Sequence, residues 1–93
     1  MRTNIFKYQL PPTIGRTKVL LPEGSTLLDC GEQSDSIVAW FLVPDPQAKR
    51  VQHVFELEFT GHGANISEEA RHVKTVQLKT GIVVHVFYAG VAS

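Results

Sequence analysis

The clearest regularity in the chain lies between Val51 and Thr60, where Val51, His53, Phe55, Leu57 and Phe59 alternate with Gln52, Val54, Glu56, Glu58 and Thr60. Successive side chains of a strand point to opposite faces, so this alternation predicts a strand with one face in the core and the other mostly wet. A different pattern precedes it. Ser36–Val43 is apolar without a break from Ile37 onward, with the polar cluster Gly31-Glu32-Gln33-Ser34-Asp35 before it and Pro44 and Pro46 after it. A run of that length between turn signals suits a strand buried on both faces better than a helix, and belongs at the centre of a sheet. Pro44 to Lys49 is then a loop.

Shorter stretches of β-formers fill the rest. Asn4–Leu10 mixes Ile5, Phe6 and Tyr8 with polar neighbours and stops at Pro11-Pro12, which cannot continue a ladder. Thr17–Leu21 is a second strand. Pro22-Glu23-Gly24 supplies a tight turn, after which Ser25–Cys30 is expected to return beside it as a hairpin. Gly61-His62-Gly63 breaks the alternating strand, and Ser67-Glu68-Glu69-Ala70 has the order of a short helical turn, with a serine cap and acids in the first turn. His72–Leu78 and Ile82–Tyr88 read as a final hairpin across Lys79-Thr80-Gly81. About seven strands with a minor α turn and no long repeat predict an all-β fold: a small antiparallel β-sandwich or a partly open barrel.

Bulk properties narrow the use of such a domain. With 93 residues, 43% of them hydrophobic and 19% charged, the chain has the composition of one globular domain, 1–93. Nine basic residues balance nine acidic ones, so no net field gathers a polyanion and nonspecific nucleic-acid binding is not expected. The same balance leaves nothing to hold copies of the chain apart, and a homo-oligomer is expected. Cys30 is the single cysteine, which rules out an internal disulfide and suits a reducing, cytoplasmic setting. The apolar run Ile37 to Val43 is far shorter than a membrane-spanning helix, and neither export nor membrane insertion is expected.

Candidate chemistry is sparse. His53, His62, His72 and His85 sit on separate predicted elements, away from the close ligand spacing of a metal site, so no metal and no cofactor is expected. No nucleophile lies in a strained elbow, Cys30 reads as a core or edge residue, and the pairs Glu56/Glu58 and Glu68/Glu69 read as a solvated face and a helix-dipole complement. No catalytic residue is assigned. The most suggestive stretch is Thr60-Gly61-His62-Gly63-Ala64-Asn65, because glycines at a strand end let successive N–H groups converge on an anion beside a hydroxyl and an imidazole. It is not a P-loop or a dinucleotide fingerprint, and a simple strand-to-turn break is the favoured reading over a binding loop. Among Trp40, Phe41, Phe55, Phe59, Phe87 and Tyr88, Trp40 or Tyr88 is expected at a rim where it could meet a flat ligand or a protein partner.

Five stretches in order carry a resemblance: Ile5-Phe6-Lys7-Tyr8; Val19-Leu20-Leu21-Pro22-Glu23-Gly24; Trp40 with Leu42-Val43-Pro44-Asp45-Pro46; Thr60-Gly61-His62-Gly63; and His85-Val86-Phe87. Together they resemble a family of small tailed-bacteriophage and prophage proteins, a domain of unknown function about as long as this chain. Members usually place a proline soon after the Gly-His, where this chain has Gly63-Ala64-Asn65. The resemblance implies a phage accessory protein at work in the cytoplasm of an infected bacterium, and it supplies no catalytic residue.

Two readings follow from that setting. In the first, an oligomer sequesters a nucleotide-type immune signal: Thr60, Gly61, His62 and Gly63 cup phosphate, Arg71 or Lys74 adds charge, and Trp40 or Tyr88 stacks a base. In the second, the domain is a protein-binding inhibitor or adaptor that docks through a strand edge or an aromatic patch. A small hydrolase ranks third, since no base, nucleophile and metal come together in the sequence.

Overall fold

The computed structural model describes residues 3–11, 13–61 and 63–92. Among them run seven strands, β1 (Asn4–Gln9), β2 (Gly15–Pro22), β3 (Thr26–Gln33), β4 (Ser36–Val43), β5 (Arg50–Phe59), β6 (Arg71–Gln77) and β7 (Val83–Val91), and no helix. They form two antiparallel sheets, a three-stranded one in the order β1-β4-β3 and a four-stranded one in the order β2-β5-β7-β6. Neither sheet closes on itself, so of the two predicted architectures the chain adopts the β-sandwich.

The apolar run that predicts a central strand is β4, the middle of the three-stranded sheet. Ile37, Ala39, Phe41 and Val43 face inward and are buried; on the opposite face Val38 is buried and Trp40 and Leu42 are half-buried. Across the sandwich, β5 and β7 contribute Phe55, Leu57, Val84 and Val86. Phe41 and Phe55 meet edge to face with centroids 6.1 Å apart and planes at 89°, a favoured aromatic geometry that locks the two sheets together.

Three expectations change. First, β2 and β3 do not form a hairpin. The turn at Pro22 to Ser25 does form, with the Ser25 N–H donating to the Pro22 carbonyl at 3.2 Å, but it carries the chain from one sheet to the other. Thus β2 pairs with β5, and β3 with β4. Second, the outer face of β5 is not wet, for Glu56 and Glu58 are buried there. Third, Ser67 to Ala70 is a turn, closed by the Ala70 N–H donating to the Ser67 carbonyl at 3.1 Å; the Ser67 hydroxyl that would cap a helix is spent on Glu56.

Two hairpins are local. Gln33 pairs with Ser36 across Ser34 and Asp35, whose φ values of 52° and 62° define the type I′ turn that matches strand twist. Gly31, Glu32 and Gln33 therefore belong to β3 and not to the turn. The second hairpin joins β6 to β7, with the Gly81 N–H donating to the Leu78 carbonyl at 2.9 Å and Gly81 at φ 92°. A side-chain contact ties the two turns at one end of the sandwich: the Lys79 N–H donates to the Asp35 carboxylate at 2.8 Å. Along one side β3 and β6 touch, and the Lys74 ammonium lies 3.5 Å from the Asp29 carboxylate.

Candidate functional site

Three places stand out among the described residues, two of them polar clusters and one a sheet face around a tryptophan. On the outer face of the four-stranded sheet, adjacent strands bring Glu56, Phe87 and His72 into one row and Glu58, His85 and Thr75 into the next. Glu56 is only 3% exposed yet carries three polar contacts: the Arg16 guanidinium at 3.1 Å, the Ser67 N–H at 3.0 Å and the Ser67 hydroxyl at 2.5 Å. Burial by itself raises its pKa, but the Ser67 hydroxyl, the Ser67 N–H and Arg16 outweigh it and hold the carboxyl below its usual range. These contacts clamp the segment after β5 onto the sheet, which is why the outer face of β5 is dry.

In the neighbouring row, the His85 imidazole lies between two hydroxyls, Nε2 2.6 Å from Thr60 Oγ1 and Nδ1 3.1 Å from Thr75 Oγ1. The Thr75 hydroxyl in turn lies 2.9 Å from His72 Nε2. His72 and His85 are 6.4 Å apart between ring centroids, and among the described residues no group of three His, Cys, Asp or Glu side chains stands close enough to hold a metal.

The second place is inside. His53, which sequence places on an apolar face, is fully buried on β5; Phe41 meets it edge-on at 5.2 Å and Tyr88 stacks on it at 6.0 Å. Its Nδ1 lies 2.7 Å from the Tyr88 hydroxyl. Over the Tyr88 ring sits the Arg71 guanidinium, 5.6 Å from the centroid, in cation–π contact. Nearby, burial and then the Asp29 carboxylate push the Cys30 thiol up to about 12, which suits the inert core cysteine expected from sequence.

The third is the outer face of the three-stranded sheet. Trp40 lies over Gly31, whose missing side chain makes room for it: a Cβ there would stand 3.2 Å from the indole. Beside Trp40 the register places Lys7 and Asp29, and one step along it places Ile5, Leu42 and Thr26. Ile5 is 62% exposed and Trp40 and Leu42 are half-buried, so this face sets apolar side chains beside the charges of Lys7 and Asp29.

The predicted ligand residues are therefore distributed over the fold. Arg71 and Tyr88 are in contact; Thr60 is engaged by His85, and its N–H donates to the Val83 carbonyl at 3.2 Å. Lys74 pairs with Asp29 at the β3–β6 seam, and Trp40 lies on the other sheet. Gly61 adopts φ 90°, the left-handed conformation its residue type permits, Gly63 is exposed, and His62 lies outside the described residues. One recess of about 160 Å³ opens at the hairpin end between the sheets, lined by Leu10, Ile37, Leu57 and Val84 with Asp35 and Ser36 at its polar side. Sites for drug-sized ligands run from about 300 Å³ upward, so this recess suits a single small ring and not a nucleotide.

Sequence reasoning misses the Arg16–Glu56–Ser67 clamp and the His53–Tyr88 contact. Their members are 11 to 51 positions apart in sequence, and only the strand pairing brings them together. The one signal was Ser67, which has the look of a cap and does cap something, a carboxylate rather than a helix.

Fold and surface define the class, a small antiparallel β-sandwich with a half-buried tryptophan on one outer face. The chain belongs to the family described as Domain of unknown function (DUF7352), which matches residues 1–92. No curated protein and no solved structure matches it. No helix of the described residues is long and apolar enough to cross a membrane.

Proposed function

We propose that this chain is a non-catalytic binding module of phage or prophage origin, which acts in the cytoplasm of an infected bacterium by docking on a protein of the host defence. The carrying observation is the outer face of the three-stranded sheet, where Trp40, Leu42 and the exposed Ile5 form an aromatic and aliphatic surface on a rigid strand platform. Large aromatics at the centre of a flat patch are the usual anchors of protein–protein contacts. The phage setting rests on the five sequence stretches named above. Elsewhere the groups capable of chemistry are committed to one another: His53 to Tyr88, His85 to two threonines, and Glu56 to Arg16 and Ser67.

The test is capture from infected-cell lysate on the immobilised chain, alongside a Trp40→Ala variant of matched thermal stability. A partner held by the wild type, released by Trp40→Ala and indifferent to added nucleotide is the expected result. A partner retained equally by the variant rejects this face.

Sequestration of a nucleotide-type signal is the second reading, and one observation favours it: Arg71 and Tyr88 already form a cation–aromatic pair on the half-buried side of β7. Thr60, Lys74 and Trp40 stand apart from that pair, so a complete pocket would need a second copy. Native mass spectrometry of freshly purified protein distinguishes the two, because sequestration requires a discrete small-molecule mass on an oligomer.

A further inference from the structure

Four strands stand at the edges of the two sheets, β1 and β3 in one and β2 and β6 in the other. An open edge is a template for another strand, and proteins protect such edges with bulges, charges, proline or a covering element. Three of the four are protected. β3 and β6 carry bulges at Leu28 and Val73 and touch each other along the sandwich side. β2 displays Lys18 and ends in Pro22. β1 has none of these features: it pairs with β4 in unbroken register from Asn4 to Gln9 and contains no proline. Its one charge, Lys7, is drawn inward across its own sheet, where the ammonium donates to the Gln33 side chain on β3. Apolar side chains on both faces of this edge reach solvent, Ile5 at 62% and Phe6 at 36% exposure.

The backbone of β1 fixes how a partner strand would pair. The Leu10 N–H donates to the Ile37 carbonyl at 2.8 Å, in continuation of the β1–β4 register. In an antiparallel ladder alternate residues turn their N–H and C=O to a given neighbour, so Asn4, Phe6 and Tyr8 face β4 while Ile5, Lys7 and Gln9 present theirs at the free side. We propose that two copies of the chain pair antiparallel through β1, with Phe6 opposite Phe6 of the second copy and Ile5 opposite its Lys7.

This register satisfies three conditions at once. It hydrogen-bonds the free groups of Ile5 and Lys7 to each other, it overlaps Thr3 through Gln9 in full, and it brings the two Phe6 rings together at a closely spaced pair. Sliding the second strand to centre on Lys7 would set like charges directly opposite, which is unfavourable. With nine basic and nine acidic residues per chain, no net charge opposes the approach of two copies. The result is a six-stranded sheet in which both Trp40 faces lie on the same side. The pairing leaves that face open, so it holds whichever partner or ligand the face receives.

Light scattering on the full chain across a concentration series should give twice the 10.3 kDa mass of one copy. Ile5→Pro removes an N–H that serves only the free side, and should halve that mass with the circular dichroism spectrum unchanged. Cysteine cross-linking reads the register without relying on that variant's folding: under diamide, Phe6→Cys should close a disulfide between copies and Ile5→Cys should not. A wild type that stays at the single-chain mass, a Phe6→Cys variant that fails to cross-link, or an Ile5→Cys variant that cross-links as readily would each overturn the pairing.

Discussion

His53 Nδ1 lies 2.7 Å from the Tyr88 hydroxyl, while the equally buried Nε2 of the same ring meets no partner among the described residues. A buried polar atom without a partner is uncommon and costly, and here it adjoins the aromatic centre where Phe41 packs on His53. Removing the one partner the ring has, by Tyr88→Phe, should destabilise the fold by about 1–3 kcal/mol in urea denaturation. An unchanged midpoint would mean that the contact contributes nothing.

The same ring gives the stability of the domain a pH dependence. Burial lowers the pKa of His53 from 6.5, so below that value the unfolded chain binds a proton that the folded chain resists. The stabilisation is complete above about pH 6.5 and is lost as the pH falls from there toward the folded-state value. His53→Phe should flatten that part of the stability curve. A slope that survives the substitution would overturn its assignment to His53.

Glu56 acts further into acid. Its pKa lies below the usual 4.5, so its contribution is present above that value and is lost as the pH falls through the folded-state value. Glu56→Gln keeps the shape of the side chain but removes the charge facing the half-exposed Arg16, and should weaken the fold by about 1–3 kcal/mol. Hydrogen exchange gives a local readout. The Ser67 amide, which donates to the Glu56 carboxylate at 3.0 Å, should exchange much faster in Glu56→Ala while Phe41 and Phe55 amides stay protected.

Ser34 is an opportunity for stabilisation. At φ 52° it occupies a conformation in which glycine and asparagine are at ease and serine is not. Ser34→Asn should therefore raise stability by about 0.5 kcal/mol. Asp35→Gly, with the same backbone relief at φ 62°, should gain less or lose, because it also removes the acceptor for the Lys79 N–H. Thermal melts of the two variants side by side would separate backbone preference from the side-chain tie.

Cys30 should be silent in the native state. With its thiol pushed up to about 12 and its surface covered, it should react with Ellman's reagent at mildly alkaline pH only as fast as the domain opens. Rapid labelling without denaturant would show an opening at the β3–β6 side that the packing of Asp29, Arg71 and Lys74 does not suggest.

The sequence was informative where a signal is local. The unbroken Ile37 to Val43 run marked a central strand, and it is the middle strand β4, buried on its inner face and only half-buried at Trp40 and Leu42 on the outer one; the turn chemistry of Lys79-Thr80-Gly81 marked a true hairpin. It failed where the deciding partner is distant. Pro22-Glu23-Gly24 does encode a turn, but a turn sequence does not state whether the strands it joins will pair or part, and β2 finds β5 instead. Glu56 looks like a water-facing residue until Arg16 and Ser67 are brought over it by a register that no window on β5 contains. The candidate ligand residues met the same limit: Arg71 and Tyr88 meet across a strand pair, whereas Trp40 and Lys74 fall to other surfaces.

The inter-sheet turn at Pro22 to Ser25 also bears on how fast the molecule is made. Because β2 and β3 part company there, only β3–β4 and β6–β7 can zip from neighbouring sequence, and they lie in different sheets. The pairings of β1 with β4 and of β2 with β5 must each close a loop that contains two whole strands before any contact compensates. Topologies of this kind fold in milliseconds to seconds rather than microseconds. During that interval the apolar edge of β1 has no strand beside it at all, which makes the nascent chain more prone to association than the finished one.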